Sequence, residues 1–237
     1  MSTAALPPKL LDAARAPYLA VGRFAHGYAG GKLAADPAYR AILQRGLLRG
    51  RRRVLDLGCG LGLLAAVLRA AERCSSDGYW PAHWPAAPLG LQIRGIELAP
   101  RTVARARRAL GGAAEIVQGD IRQADFGAAD AVVMLDVLHY IEADAHQGLL
   151  ERVHQTLPPD GVLLMRVGDA AGGMRFRFGQ CWDQVAMLSR GHGWIHQHCR
   201  SLRDWRSLLL RSGFATRILS MSDGTPFANV LLCARPE

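Results

Sequence analysis

The sequence predicts an α/β protein built on a doubly wound, seven-stranded, mostly parallel sheet. Three observations predict it. Short apolar runs such as Val54–Leu57, interrupted only by Asp56, and Ala131–Leu135 read as strands buried on both faces. Segments with apolar residues at three- and four-residue steps alternate with these strands, as crossover helices must. Finally, Gly58, Gly60 and Gly62 form a turn between the first such strand and the helix opening at Leu61.

The elements follow in order. Residues 1–50 read as an N-terminal helical cover: Pro8–Ala16, then about Pro17–Tyr28, then Pro37–Leu48 with Tyr39, Ile42, Leu43 and Leu47 on one side. Residues 51–237 form the main domain, and the absence of a linker predicts one compact unit overall. Its strands are Val54–Leu57, Leu91–Glu97, Glu115–Gln118, Ala131–Leu135 and Gly161–Val167. Helices Thr102–Leu110 and Ala143–Leu157 lie between them, and Ser201–Ser212 puts Leu202, Trp205, Leu208 and Leu209 inward. Phe214–Met221 and Phe227–Ala234 close the sheet as a hairpin around Asp223-Gly224.

Composition narrows the classes. The chain has 237 residues and half are hydrophobic, enough for a sizeable core. No run of eighteen residues avoids a charge or turn signal, so no membrane span is expected. The start is broken by Lys9, Asp12 and Arg15 and lacks the apolar stretch of a signal peptide. Five scattered cysteines without a CxxC pair suit reduced thiols and a cytoplasmic protein. The net charge of +9 comes almost wholly from arginine, since only Lys9 and Lys32 are lysines. Those arginines are spread out, whereas a nucleic-acid footprint is a concentrated stripe with aromatics interleaved. An acidic protein partner would use the same field.

The glycine turn carries the chemistry. Glycine is needed where the backbone takes positive φ or where a ligand lies against it without a Cβ between. A dinucleotide fingerprint would place its third glycine where Leu63 stands. Asp56, inside the strand end, suits a cationic group or a ribose hydroxyl and would repel a pyrophosphate. With these residues the stretch VLDLGCGLG resembles motif I of the class I S-adenosylmethionine (SAM)-dependent methyltransferases. Three later segments follow in that family's order: IELAP (Ile96–Pro100), QGD (Gln118–Asp120) and DAVVMLDVLHY (Asp130–Tyr140). The resemblance implies a Rossmann-like methyltransferase fold with the last strand antiparallel and SAM as cofactor. It assigns Glu97 to the ribose hydroxyls, Asp120 to the adenine amino group and Ile121 to the adenine ring. Leu98 and Asp136 join Asp56, Gly58, Gly60 and Gly62 as further cofactor contacts. A weaker similarity, in RFAHGYAGGKL and RVGDAAGG, is to methyltransferases of aryl-polyene pigment pathways.

Two insertions depart from a minimal fold. Cys74–Gly90, with Trp80, His83 and Trp84, leaves the sheet at the edge where strands begin, opposite the ligand edge. It is expected to pack on its own domain; the alternative is an aromatic pair for subunit contact, hence a homodimer. Gly168–Arg200 leaves at the carboxyl edge, and Met174, Phe178, Trp182, Val185 and Leu188 fall on one helical side, which suggests a lid over the site. In HGWIHQHC, His192, His196, His198 and Cys199 offer ligand types. Gly191 and Gly193 argue against the helix that would join two of the histidines, so no metal is expected.

A phenol or alcohol acceptor must lose its proton during transfer, and a histidine suits that task. His139, three residues after Asp136 at the end of the fourth strand, is the catalytic candidate; its alternative is packing. His26 and Tyr28 are lesser candidates. The leading reading is O- or C-methylation of an aromatic or polyketide-like small molecule of secondary metabolism, with an acidic acyl carrier protein as its candidate carrier. The alternatives are an RNA or protein methyltransferase and, opposed by Leu63 and the segment order, a nicotinamide-dependent oxidoreductase.

Overall fold

A computed structural model describes residues 6–171, 198–221 and 229–237. Their contacts gather into two compact units, residues 1–133 and 134–237. The strands form a seven-stranded sheet in the order β3-β2-β1-β4-β5-β7-β6.

In the first unit, β1 (Arg53–Leu57) pairs in parallel with β2 (Gln92–Glu97) and with the start of β4 (Ala131–Leu135). β2 pairs in parallel with β3 (Glu115–Gln118). Val54, Leu55 and Leu57 are buried, as a central strand covered on both faces requires. The start of β1 is pinned by Asp130, whose carboxylate accepts from the backbone N–H groups of Arg52 and Arg53 at 2.9–3.1 Å. Helix α4 (Leu63–Ser76) follows the glycine turn with Leu64, Ala65, Val67, Leu68 and Ala71 buried, and α5 (Pro100–Leu110) crosses from β2 to β3.

The N-terminal segment corrects one expectation. The stretch read as a single helix over Pro17–Tyr28 is a 3-10 turn at Ala16–Ala20, a break at Gly22 (φ 127°), and a helix running from Arg23 to Ala35. Gly22 is in a conformation that a helix interior cannot hold, so two elements arise where apolar spacing suggested one. In this α2 helix Gly30 makes room for Arg15, whose side chain lies 3.2 Å from where a Cβ would stand. α1 (Pro8–Arg15) precedes it, and α3 (Pro37–Gln44) follows with Asp36 capping from Oδ1 to the Ala38 N–H at 3.0 Å. α3 ends four residues before the expected Leu48. Leu47 N–H bonds the Ile42 carbonyl and Gly46 N–H the Leu43 carbonyl, with Gly46 left-handed at φ 60°, the pattern that terminates helices.

The Cys74–Gly90 insertion folds back onto the first unit. Trp84 is buried and meets Trp80 edge to face at 5.4 Å, while Trp80 Nε1 donates to the Pro85 carbonyl at 2.8 Å. The Arg40 guanidinium lies 5.7 Å from the Trp84 ring centre, and Lys9 Nζ sits 3.2 Å from that of Tyr79.

The second unit holds the end of β4, α6 (Ala145–Thr156), β5 (Val162–Gly168), α7 (Leu202–Arg211), β6 (Phe214–Ser220) and β7 (Asn229–Pro236). β7 runs antiparallel to both β5 and β6, as the resemblance implied. Ser201 caps α7 by accepting from the Asp204 N–H at 3.2 Å. No helix among the described residues is long and apolar enough to cross a membrane.

Candidate active site

The first unit brings Asp56, Gly58, Gly60, Gly62 and Glu97 together at the carboxyl ends of β1 and β2. All three glycines are left-handed, at φ 72°, 55° and 75°. The turn is tied to β2 through the Ile96 carbonyl, which accepts from Gly58 N–H at 2.9 Å and Cys59 N–H at 3.1 Å. Glu97 adds a second tie. Its Oε2 accepts from Gly60 N–H at 3.0 Å and its Oε1 from Ala99 N–H at 2.9 Å. Gly95 lets this happen, because a Cβ there would stand 2.7 Å from Cys59 Sγ. Around the Cβ position of Gly60, in contrast, no atom of the described residues beyond its chain neighbours lies within 4 Å. Backbone that is held from behind and open in front is a surface for a ligand.

The ionisable groups here are all acids. Burial, and then the neighbouring Glu97, push the Asp56 carboxyl up to about 7. Burial and then Asp56 and Glu97 push the Cys59 thiol up, so it is a packed thiol and not a nucleophile. Burial pushes the Tyr18 phenol up as well, and Cys59, Asp56 and Tyr28 add to it. The acids that can carry charge here, Asp56 and Glu97, are both carboxyls, so the site favours a positively charged ligand.

Further along, Leu98 is exposed (63 %) and Ile121 buried. Asp120 accepts the Arg122 guanidinium (2.6 Å from Nη2 to Oδ2) and the Arg122 N–H at 2.9 Å, contacts that hold its carboxyl below the usual range. It is an ionised acceptor that already has a partner.

Asp136, His139 and Tyr140 lie in the second unit. Asp136 is left-handed at φ 58°, which is rare for a residue with a Cβ and marks a strained exit from β4. Its carboxylate takes both arms of Arg166, with Nε to Oδ1 at 2.7 Å and a second contact from Nη2 to Oδ2. Arg166 is buried in the middle of β5. His139 and Tyr140 follow in a 3-10 turn, their rings 4.0 Å apart. The His139 carbonyl accepts from His198 N–H at 2.9 Å.

His146 supports this turn from α6. It is fully buried; its Nε2 bonds the Leu138 carbonyl at 2.9 Å and its Nδ1 accepts from Arg200 Nε at 3.1 Å, which fixes the proton on Nε2. Burial lowers its pKa, so the ring is neutral. Arg200 also donates to the Ala143 carbonyl at 2.6 Å, and its own carbonyl accepts from Ala170 N–H at 3.1 Å.

The helix expected at Met174–Leu188, with Phe178, Trp182 and Val185, lies outside the described residues, as do His192 and His196. Among the described residues no cluster of three metal-ligating side chains occurs.

Tyr18, Arg166 and His146 escaped the sequence reading. An arginine within the apolar run LLMRV was the signal for Arg166, since a buried charge needs a partner. Nothing local marked Tyr18 or His146, because their partners are 43 and 54 positions away in the chain.

A family model described as a methyltransferase domain matches residues 31–217. A carboxy-S-adenosyl-L-methionine synthase of Chromohalobacter salexigens is 33 % identical over 140 residues, covering 54 % of this chain and 47 % of that protein. The chain thus spans about half the length of the curated relatives it matches. The solved mitomycin 7-O-methyltransferase shares the fold at a TM-score of 0.61 and 21 % identity, covering 92 % of this chain and 60 % of that one. So does human N-acetylserotonin methyltransferase, solved with SAM, at 0.58 and 21 %, covering 96 % and 65 %. With a glycine turn, an acid at the carboxyl end of each of the first two strands and a family match over most of its length, the chain belongs to the methyltransferase-domain family.

Proposed function

We propose that the protein binds SAM on the Gly58–Gly62 turn and transfers its methyl group to a small-molecule acceptor, by O- or C-methylation of an aromatic or polyketide-like compound. The observation that carries this reading is the all-acid surround of an open glycine backbone, Asp56 and Glu97 foremost. A sulfonium nucleoside brings positive charge and two ribose hydroxyls to such a place, whereas a dinucleotide would bring a pyrophosphate.

The bound donor supplies a methyl group already activated on a sulfonium. Asp56 offers its carboxylate to the donor's positive end, and Glu97 accepts from the ribose hydroxyls with the lone pairs left over from Gly60 and Ala99. Leu98 and Ile121 would flank the adenine, and Asp120 would accept from its amino group. With the donor bound, His139 would take the proton of the acceptor's hydroxyl during transfer. The names of the fold neighbours, mitomycin and N-acetylserotonin methyltransferases among them, support a small-molecule acceptor. Five scattered cysteines without a CxxC pair suit a cytoplasmic enzyme, and the net charge of +9 suits an acidic carrier protein as escort of the acceptor.

Calorimetry with SAM, S-adenosylhomocysteine and NAD tests the donor. Binding of the first two is expected, and binding of NAD alone would overturn the reading. A second reading is favoured by the 33 % identity to a carboxy-S-adenosyl-L-methionine synthase, namely that the donor itself is the product's scaffold. Mass spectrometry after incubation with SAM, candidate acceptors and a carboxylic-acid carboxyl source separates the two: a methylated acceptor supports the first, a carboxylated donor the second.

A further inference from the structure

The glycine turn is held from a third side, by a residue of the N-terminal segment. Tyr18 lies in the 3-10 turn Ala16–Ala20, is fully buried, and donates its hydroxyl to the Leu61 carbonyl at 2.9 Å. That carbonyl and the Gly62 N–H belong to one peptide plane, and Gly62 N–H donates to the Cys59 carbonyl at 2.9 Å. The plane is therefore gripped at both ends. Without the phenol, rotation about ψ of Leu61 and φ of Gly62 can turn it over, because glycine tolerates both outcomes. The same plane starts α4, whose N-cap is Gly62. Burial keeps the phenol protonated, so it remains a donor at any physiological pH.

We propose that Tyr18 is a positioning residue for the methyl donor. It fixes the Leu61–Gly62 peptide in the orientation the donor requires, and thereby makes the segment before residue 23 part of the binding site. This inference rests on the donor-binding reading above. The contact is 43 positions long in sequence and serves backbone that forms no hydrogen-bond ladder of its own, so the fold does not need it for strand pairing. Its effect is preorganisation: a ligand meeting an already ordered turn does not have to order it.

The test compares S-adenosylhomocysteine affinity by calorimetry in the wild type, Y18F and P17A. Y18F deletes only the hydroxyl. P17A keeps it but frees the backbone just before it, since Pro17 lies in the first turn of the 3-10 segment. Dissociation constants are expected to rise about tenfold in Y18F and about threefold in P17A, with faster amide exchange at Gly62 in the unliganded Y18F protein. A wild type that binds neither S-adenosylhomocysteine nor SAM overturns the donor reading, and this inference with it. A wild type that binds, with both variants within twofold of it, overturns this inference alone, even if Y18F melts at a lower temperature. Should Y18F fail to fold, P17A decides.

Discussion

Glu97 and Gly60 are joined by a hydrogen bond of 3.0 Å from the glycine N–H to carboxylate Oε2, across 37 positions of sequence. The acid at the end of the second strand thus fastens the very turn on which a ligand would lie, in addition to any role toward the ligand itself. Its other oxygen starts the approach to α5 through Ala99 N–H.

Glu97→Ala should accordingly weaken SAM binding by more than the loss of ribose contacts alone. A loss of about 1–3 kcal/mol is expected, the worth of hydrogen bonds to a charged group together with a loosened turn. Glu97→Gln, which keeps one acceptor, should fall between. Calorimetry showing unchanged affinity in Glu97→Ala would remove this residue from the site.

Asp56 predicts a pH dependence of binding and a linked one of stability. Its folded pKa of about 7 lies above that of an unfolded carboxyl, so the native state holds the proton more tightly. Between about pH 4 and pH 7 the unfolded chain is ionised while the fold is not. Stability therefore falls as pH rises through that window, by up to about 1.4 kcal/mol per unit. Asp56→Asn should remove this cost and raise the melting temperature of the unliganded protein at pH 8 by about 5 °C or more. Donor affinity should run the other way, rising from pH 6 to pH 8 in the wild type as the carboxylate appears. In Asp56→Asn it should be weak and flat over that range. A stable, pH-sensitive Asp56→Asn complex would contradict both statements.

Gly60→Ala separates folding from binding. Among the described residues beyond its chain neighbours the Cβ meets no atom within 4 Å, so their packing is undisturbed and only the φ of 55° is strained. A stability loss of about 1–2 kcal/mol is expected from the left-handed conformation. Binding of S-adenosylhomocysteine should drop far more, because the methyl stands in the open space assigned to the ligand. Equal affinity in the variant, measured by thermal shift, would place the ligand elsewhere.

His146 should make the second unit acid-sensitive. Its folded pKa is below that of an unfolded histidine, because burial disfavours the imidazolium and Arg200 stands at Nδ1. The unfolded chain therefore binds more protons below about pH 6.5. The contribution of His146 is complete above that value and is lost as pH falls. A melting temperature that declines from pH 6.5 to pH 5 in the wild type, and less so in His146→Gln, is the expected result. Parallel curves for the two proteins would show that another group sets the acid limb.

Sequence alone determined the strand–helix alternation, because burial on both faces demands apolar runs and crossover helices demand periodic ones. It determined the glycine turn and its two acids for the same kind of reason, since Gly58, Gly60 and Gly62 hold a conformation few other residues accept. β3 and β4 fall where their apolar runs placed them. Only tertiary structure decided what holds those residues in place. Tyr18 on the Leu61 carbonyl, Glu97 on Gly60, Arg166 on Asp136 and His146 between Leu138 and Arg200 join positions 8 to 54 residues apart. A side-chain hydrogen bond of that span leaves no period in the sequence. It exists only once the sheet has brought strand ends and helix faces together, and those long contacts turn a recognisable motif into a shaped site.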